Sequence, residues 1–350
     1  MTRMSFAILR VEEWPQQDAL RWLKAREPRA KLFAERSAAD WRLTTATKAE
    51  EGYGMYLHWL ADRGFLDHAV TMEQRVTHEA IQQFASEYAE GRAPLTVAGT
   101  VRDIALVLRA CSPPHGVKWL TDLSWRAMNA SKPIRPKLPH IASPGALYGL
   151  GKMLMTEGRW HGDGKSWSGA RMYRDGLMIA CLAVRPLRLG EHMALRLGHT
   201  LTREGERWHI AVPPSSTKTN RWRRDSFPAF LTPAMDYYVE QVRSVLPREK
   251  ADLDDGWFWL GTDGRLNPST VSSTISRLTL KRLGKAVSPH RFRDSAATAI
   301  ALEMPKHIGI TKSVLGHASL QTSQDHYNQA HSFSASAELA EVVEELRRSA

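Results

Sequence analysis

The chain has 350 residues, enough for two domains with separate cores. Hydrophobic residues make up 43% and charged residues 24%, ordinary values for a soluble globular protein. A net charge of +11 and a pI of about 9.8 favour a polyanionic partner, because each Lys or Arg that meets a phosphate releases a condensed counterion; an unspecific basic surface accounts for the same numbers. Cys111 and Cys181 are the only cysteines, which excludes a disulfide framework or a Cys-rich zinc site and fits small buried side chains in a reducing compartment. The N-terminal segment holds no apolar run of signal-peptide length, and no stretch approaches the roughly eighteen apolar residues of a membrane span. The expected location is cytoplasmic, with no membrane partner.

Residues 1–44 are polar and dotted with Trp14, Trp22 and Trp41, which predicts short helices in an N-terminal extension of unknown role. From about Thr45 a helical period sets in. Tyr53, Tyr56, Leu57 and Leu60 fall at i, i+3, i+4 and i+7. Ile81, Phe84, Ala85 and Tyr88 repeat the spacing, as do Val101, Ile104, Ala105 and Leu108. Gly64, Gly91 and Ser112-Pro113-Pro114 separate these segments, and a fourth helix around Trp119–Met128 completes a small bundle over 45–130. The aromatic stripes read as core. Three prolines then keep 131–140 extended, as an interdomain linker. Its Lys132, Arg135 and Lys137 either track a phosphate backbone or are incidental charges on a solvated linker.

The second domain, 141–334, opens with predicted helices around Gly145–Glu157 and Gly169–Ala183. The run 199–231 reads as strands and turns, one strand ending at Pro213-Pro214. Trp257-Phe258-Trp259-Leu260 reads as a short buried strand. Asn267-Pro268 and Ser288-Pro289 start two further helices, with the polar residue as cap and proline in the first turn. A last helix, about Ala335–Arg348, carries Leu339, Val342, Val343 and Leu346 on one face, suited to docking in cis or onto a neighbouring subunit. The fold class expected is mainly α with a small antiparallel β-sheet, in two domains.

Four islands in the second domain carry candidate chemistry. They are Arg185-Pro-Leu-Arg188-Leu-Gly-Glu191, Ser215-Ser-Thr-Lys218-Thr-Asn-Arg221, His290-Arg291-Phe-Arg293-Asp294, and Leu315-Gly316-His317 followed by His326-Tyr327. Their order resembles that of the tyrosine recombinase (phage integrase) family, in which an Arg-x-x-Glu segment, a lysine in a β-turn, His-x-x-Arg, Leu-Gly-His and a tyrosine follow one another. The resemblance covers roughly 140–335. The segment 45–130 resembles the family's core DNA-binding domain in size, position and helix pattern alone, and residues 1–44 match nothing in it. One departure stands: Tyr327 lies ten residues after His317, where family members often place it nine after, and His326 fills that slot.

The resemblance implies a site-specific DNA recombinase of the integrase or transposase type, acting as a homo-oligomer on duplex DNA, a tetramer in the synapse, with or without accessory or sister recombinases. It further implies a nucleoid-associated protein of bacterial type. Arg188 and Arg293 would clamp the non-bridging oxygens of a scissile phosphate, since planar guanidinium groups match that geometry. Tyr327 would be the nucleophile. A phenol pKa near 10 makes the phenolate cost roughly 4 kcal/mol at pH 7, so a base or a positive field is needed. His290 would move that proton, His317 would hydrogen-bond the phosphate, and Lys218 would protonate the departing 5′ oxygen. The phosphotyrosyl link keeps the bond energy, so neither ATP, metal nor another cofactor is called for.

Each residue also has a plainer reading. Arg188 pairs with Glu191 on one helix face. Lys218, with Arg221, Arg223 and Arg224 nearby, is mere phosphate grip. Arg291 is structural or touches the DNA backbone, and His290, His317 and Tyr327 are core or helix-end residues. A single-duplex, topoisomerase IB-like enzyme and a non-catalytic DNA-binding regulator remain the alternative functions. Gly164-Lys165-Ser166 lacks the register and the preceding strand of a phosphate-binding loop, and Asp252, Asp254 and Asp255 read as a solvated turn.

Overall fold

The fold is that of a computed structural model, which describes residues 6–28, 38–112, 114–131, 141–161, 166–214, 217, 222–247 and 255–303. The chain divides into two compact units, Met1–Arg135 and Pro136–Ala350.

In the first unit a single 3₁₀ turn (Val11–Glu13) precedes α1 (Gln16–Arg26), α2 (Leu43–Asp62), the short α3 (Met72–Arg75), α4 (His78–Tyr88), α5 (Pro94–Cys111) and α6 (Pro114–Ala130). The 3.6-residue period decides the burial. Tyr53, Tyr56 and Leu57 on α2, Ile81 and Phe84 on α4, and Ile104 and Leu108 on α5 are buried in one aromatic-rich cluster. Thr77 caps α4 by accepting a hydrogen bond from the Ala80 amide at 3.2 Å, and Pro94 sits in the first turn of α5, where its missing N–H is no loss. Trp14 and Trp22 belong to the same cluster, so the described part of 1–44 packs onto the bundle; the Trp14 and Tyr53 rings meet edge to face at 4.9 Å. Beneath them the buried carboxylate of Asp18 accepts from the Tyr53 hydroxyl at 2.6 Å and pairs with the Arg75 guanidinium.

The second unit begins with α7 (Pro144–Trp160) and α8 (Trp167–Val184), each capped by a serine: Ser143 accepts from the Ala146 amide at 3.2 Å and Ser166 from the Gly169 amide at 3.1 Å. The serine of Gly164-Lys165-Ser166 is thus a helix cap. Glycines seven residues apart let the two helices touch backbone to backbone. A Cβ on Gly151 would lie 2.7 Å from the Gly176 carbonyl oxygen, and one on Gly158 2.7 Å from that of Gly169. After the one-turn α9 (Leu189–His192) come three antiparallel strands in sequential order, β1 (Leu201–Glu204), β2 (Arg207–Val212) and β3 (Arg223–Ser226). Leu201 pairs with Ile210, and Val212 with Arg223.

A 3₁₀ turn then leads to α10 (Thr232–Tyr237), which runs on as irregular helix to Val245. The expected strand at Trp257–Leu260 is displaced: β4 is Leu260–Gly261, paired with β5 (Gly264–Arg265), while Trp257 makes one isolated bridge to Arg196. Phe258 and Trp259 are buried as expected but are held by tertiary packing, with Phe258 N–H donating to the Leu195 carbonyl at 2.9 Å. α11 (Pro268–Leu283) starts on the Asn267 cap and stops at Gly284, whose φ of 69° suits glycine. α12 (Pro289–Glu303) starts at the expected Ser288-Pro289 step. Phe292 turns inward with Val271 and Ile275 to join the core of α7, α8 and the sheet. The chain is mainly helical with small antiparallel sheets, the fold class read from the sequence. The terminal segment 335–348 and the linker residues 132–140 lie outside the described residues.

Candidate active site

The site begins where α8 ends. Leu187, fully buried, pins the loop 185–188, and α9 starts at once, with Arg188 in extended conformation as its N-cap residue. Three residues on, Glu191 turns back: it accepts from the Arg188 amide at 3.3 Å through one oxygen and from Arg188 Nη1 at 3.0 Å through the other. The Arg188 side chain keeps 24% of its surface open and that of Glu191 only 2%, so a nearly buried carboxylate orients a half-open guanidinium. The plain pairing of Arg188 with Glu191 and a phosphate-facing role are therefore compatible.

Arg293 reaches the same loop from α12. It is buried, and its Nη1 donates to the Pro186 carbonyl at 2.7 Å. Burial first, then the charges of Arg188 and Arg223, pull its pKa down to about 10. It therefore stays charged at neutral pH. Phe292, its neighbour, fills the core, so the rotation of α12 that buries Phe292 also fixes the direction of Arg293. His290 lies exposed in the first turn of α12, three residues before Arg293 and so on a neighbouring face of the helix. Arg291 pairs with Asp294 on its own helix at 2.8 Å.

The hairpin brings a third arginine that the sequence reading took for mere phosphate grip. The alternation of β3 turns Arg223 and Asp225 to one side and Arg224 to the other. Arg223 Nη1 lies 3.6 Å from Glu191 Oε2 and its Nη2 3.7 Å from Asp225 Oδ2, with 11% of the side chain exposed. Burial lowers its pKa, while Glu191 and Asp225 oppose that shift. Arg185 completes the chain of pairs, donating from Nε to the Ser226 carbonyl at 2.8 Å and lying 3.2 Å from Asp225 Oδ1. The period-two alternation of Arg223-Arg224-Asp225-Ser226 was the available signal for this inward arginine. Arg224 is exposed, with its guanidinium carbon 5.4 Å from the ring centre of Trp222, itself exposed.

Next to Glu191, His192 is completely buried. Neither ring nitrogen has a hydrogen-bond partner among the described residues, the Trp259 ring lies 4.9 Å away, and burial pushes its pKa down to about 3. Burial likewise pushes the Cys111 thiol up to about 12 and the Cys181 thiol higher still, which suits unreactive packing. Lys218, Arg221, His317, Tyr327, Lys132, Arg135 and Lys137 lie outside the described residues. Among the described residues no cluster of three or more His, Cys, Asp or Glu is arranged to hold a metal, and no helix is long and apolar enough to cross a membrane.

Residues 166–332 match the model of the phage integrase family, a span that takes in all four islands from Arg185 to Tyr327. Among solved structures, one described as a lambda integrase dimer bound to a COC′ core site is similar over 88% of this chain and 76% of that one, at 14% identity and a TM-score of 0.53. At that identity the likeness speaks for the fold alone. A structure of XerA recombinase aligns over 90% of this chain and 93% of that one at 18% identity, with a TM-score of 0.37, too low to bear on the argument. No curated protein matches the chain in sequence. The match of residues 166–332 to the phage integrase family agrees with the resemblance to tyrosine recombinases that the order of the four islands carries.

Proposed function

We propose that the protein is a site-specific DNA recombinase that cuts and rejoins duplex DNA through Tyr327. The observation that carries this reading is the meeting of Arg188 and Arg293 at one loop. One is oriented by Glu191 and the other tethered to the Pro186 carbonyl, inside the domain that the family model matches. Two guanidiniums there suit the non-bridging oxygens of a phosphodiester, whose negative charge grows as a nucleophile attacks. In the reaction, the Tyr327 oxygen bonds to phosphorus and the bond from phosphorus to the 5′ oxygen breaks. A 3′-phosphotyrosyl link and a free 5′ hydroxyl result. His290 takes the phenol proton, Lys218 supplies one to the leaving oxygen, and His317 holds the phosphate. The hydroxyl of a partner strand reverses the step on the other duplex. One ester replaces another at each stage, so the exchange runs without ATP and without metal.

The charge of +11 and the exposed Arg224 beside Trp222 support duplex DNA as the partner, with Lys132, Arg135, Lys137, Arg221 and Arg291 as further backbone contacts. Strand exchange between two duplexes calls for four active chains, so the working form is a homotetramer on DNA in the cytoplasm. A duplex nicked close to the cut site, so that the short cleaved fragment diffuses away, tests the reading. The wild type accumulates a covalent protein–DNA adduct, and Tyr327→Phe forms none. An adduct that persists in Tyr327→Phe but vanishes on replacing His326 refutes the choice of nucleophile.

A further inference from the structure

We propose that the cleft between α5 and α6 receives the segment 335–348 of a second copy of this chain, held by its apolar face and by two pairs of opposite charges. The choice of a second copy rests on the multi-chain assembly proposed above; the fit of the segment to the cleft does not.

The cleft belongs to the first unit and has a volume of about 290 Å³. Ala105 and Leu106 of α5 and Trp125 and Met128 of α6 supply its apolar lining, and Arg102 and Arg109 of α5 supply charge. Trp125 is 68% exposed. An indole left open beside an apolar cleft is the kind of anchor on which an amphipathic helix docks. No acidic residue lines the cleft. Arg102 touches the carboxylate of its neighbour Asp103 at 3.1 Å with 47% of its side chain open, and Arg109 is exposed, with no ion pair among the described residues. Arg102, Leu106 and Arg109 follow one another at i, i+4 and i+7, so the two guanidiniums lie along one face of α5, about 10 Å apart in rise.

A fitting occupant offers aliphatic side chains flanked by carboxylates at the same interval. In a chain of net charge +11, residues 335–346 carry four glutamates and neither lysine nor arginine. Read as a helix from its sequence, the segment sets Leu339, Val342, Val343 and Leu346 at i, i+3, i+4 and i+7. Glu338 and Glu345, seven residues apart, fall on one flank of that face. Their rise equals that of Arg102 and Arg109, so both pairs close together whichever way the helix runs. Exposed pairs of this kind add little energy but fix partner and register, while the apolar contact supplies the affinity. A cleft on one part of the surface and a segment on another make a heterologous contact, which copies repeat head to tail until a ring closes.

Two measurements on the full chain test the proposal. In the first, self-association is followed by sedimentation without DNA. The wild type associates as its concentration rises. Arg102→Glu with Arg109→Glu weakens this by about tenfold or more, as does Glu338→Arg with Glu345→Arg, and the four substitutions together restore it to within about threefold. A wild type that stays monomeric, an arginine variant that associates as the wild type does, or a fourfold variant as weak as either pair overturns the proposal.

In the second, Thr121→Cys in one tagged copy is mixed with Val343→Cys in another and mildly oxidised. The thiols of Cys111 and Cys181, raised by burial, stay out of the exchange. A disulfide between the two tags supports the contact, and its absence overturns it. A single chain carrying both substitutions that closes its own disulfide at high dilution makes the occupant the chain's own segment and overturns the choice of a second copy. A wild type that associates through these charges yet forms no adduct on the nicked duplex refutes the recombinase reading and leaves the contact standing.

Discussion

Replacing Gly176 by alanine tests whether the close approach of α7 and α8 holds the second unit together. The new Cβ would lie 2.7 Å from the Gly151 carbonyl oxygen, 2.8 Å from Leu154 Cβ and 2.8 Å from the Met155 amide nitrogen. All three belong to the body of α7, so no flexible side-chain end can swing aside. Ordinary contact needs about 3.5 Å, so the helices must part by about 0.7 Å along a seam where Gly151, Gly158 and Gly169 are equally crowded. Overpacking of this kind costs about 3 kcal/mol at the upper end, and the better helix propensity of alanine returns about 1, leaving a net loss of about 2 kcal/mol. For a unit of this size the melting transition drops by about 4–8 °C. Gly149, also on α7, has nothing within 4 Å of its would-be Cβ, so Gly149→Ala gains up to about 1 kcal/mol from propensity alone. Scanning calorimetry of both variants decides the matter. Equal melting temperatures for the two, or a Gly176→Ala protein as stable as the wild type, would refute the backbone-contact argument.

Three other substitutions follow from the same geometry. Glu191→Gln removes the nearly buried charge that Arg188 and Arg223 share and costs about 3 kcal/mol in urea unfolding, because two neighbouring guanidiniums lose a common counter-charge; an unchanged midpoint contradicts the pairing. His192 is neutral when folded, with a pKa near 3, and takes up a proton below about pH 6.5 when unfolded. Its contribution is therefore complete above pH 6.5 and declines toward acid by up to about 1.4 kcal/mol per unit; His192→Phe should flatten that limb in pH-dependent denaturation. Asp18→Ala leaves the Arg75 guanidinium and the Tyr53 hydroxyl buried without their shared acceptor, for a loss of about 3–5 kcal/mol seen as a lowered urea midpoint of the first unit.

The helices of the first unit were legible because their apolar residues recur at the helical period, and Tyr53, Ile81 and Ile104 are buried where that period places them. Caps were legible too: Asn267 and the Ser288-Pro289 step mark the starts of α11 and α12. The strand expected at 257–260 was misplaced because an apolar run looks alike whether its backbone pairs in a sheet or is held by packing. Arg188 and Arg293 were singled out through the order of motifs that the resemblance supplies, not through any local property. Arg223 and the Pro186 carbonyl escaped for different reasons. An arginine among arginines gives no sign of facing inward unless strand alternation is applied to it, and a main-chain acceptor leaves no trace in the sequence at all.

That acceptor shapes how this protein tolerates change. Every amino acid carries a carbonyl, so the anchor of Arg293 is indifferent to which side chain stands at 186 and depends only on the path the loop follows. A substitution there keeps the acceptor only where the new side chain fits the buried position and leaves the path of the loop unchanged. A single residue inserted or removed between α8 and α9 shifts the oxygen out of reach and unseats the arginine without touching it. At this corner the length of the loop sets the anchor, and the buried side chain sets only the packing around it.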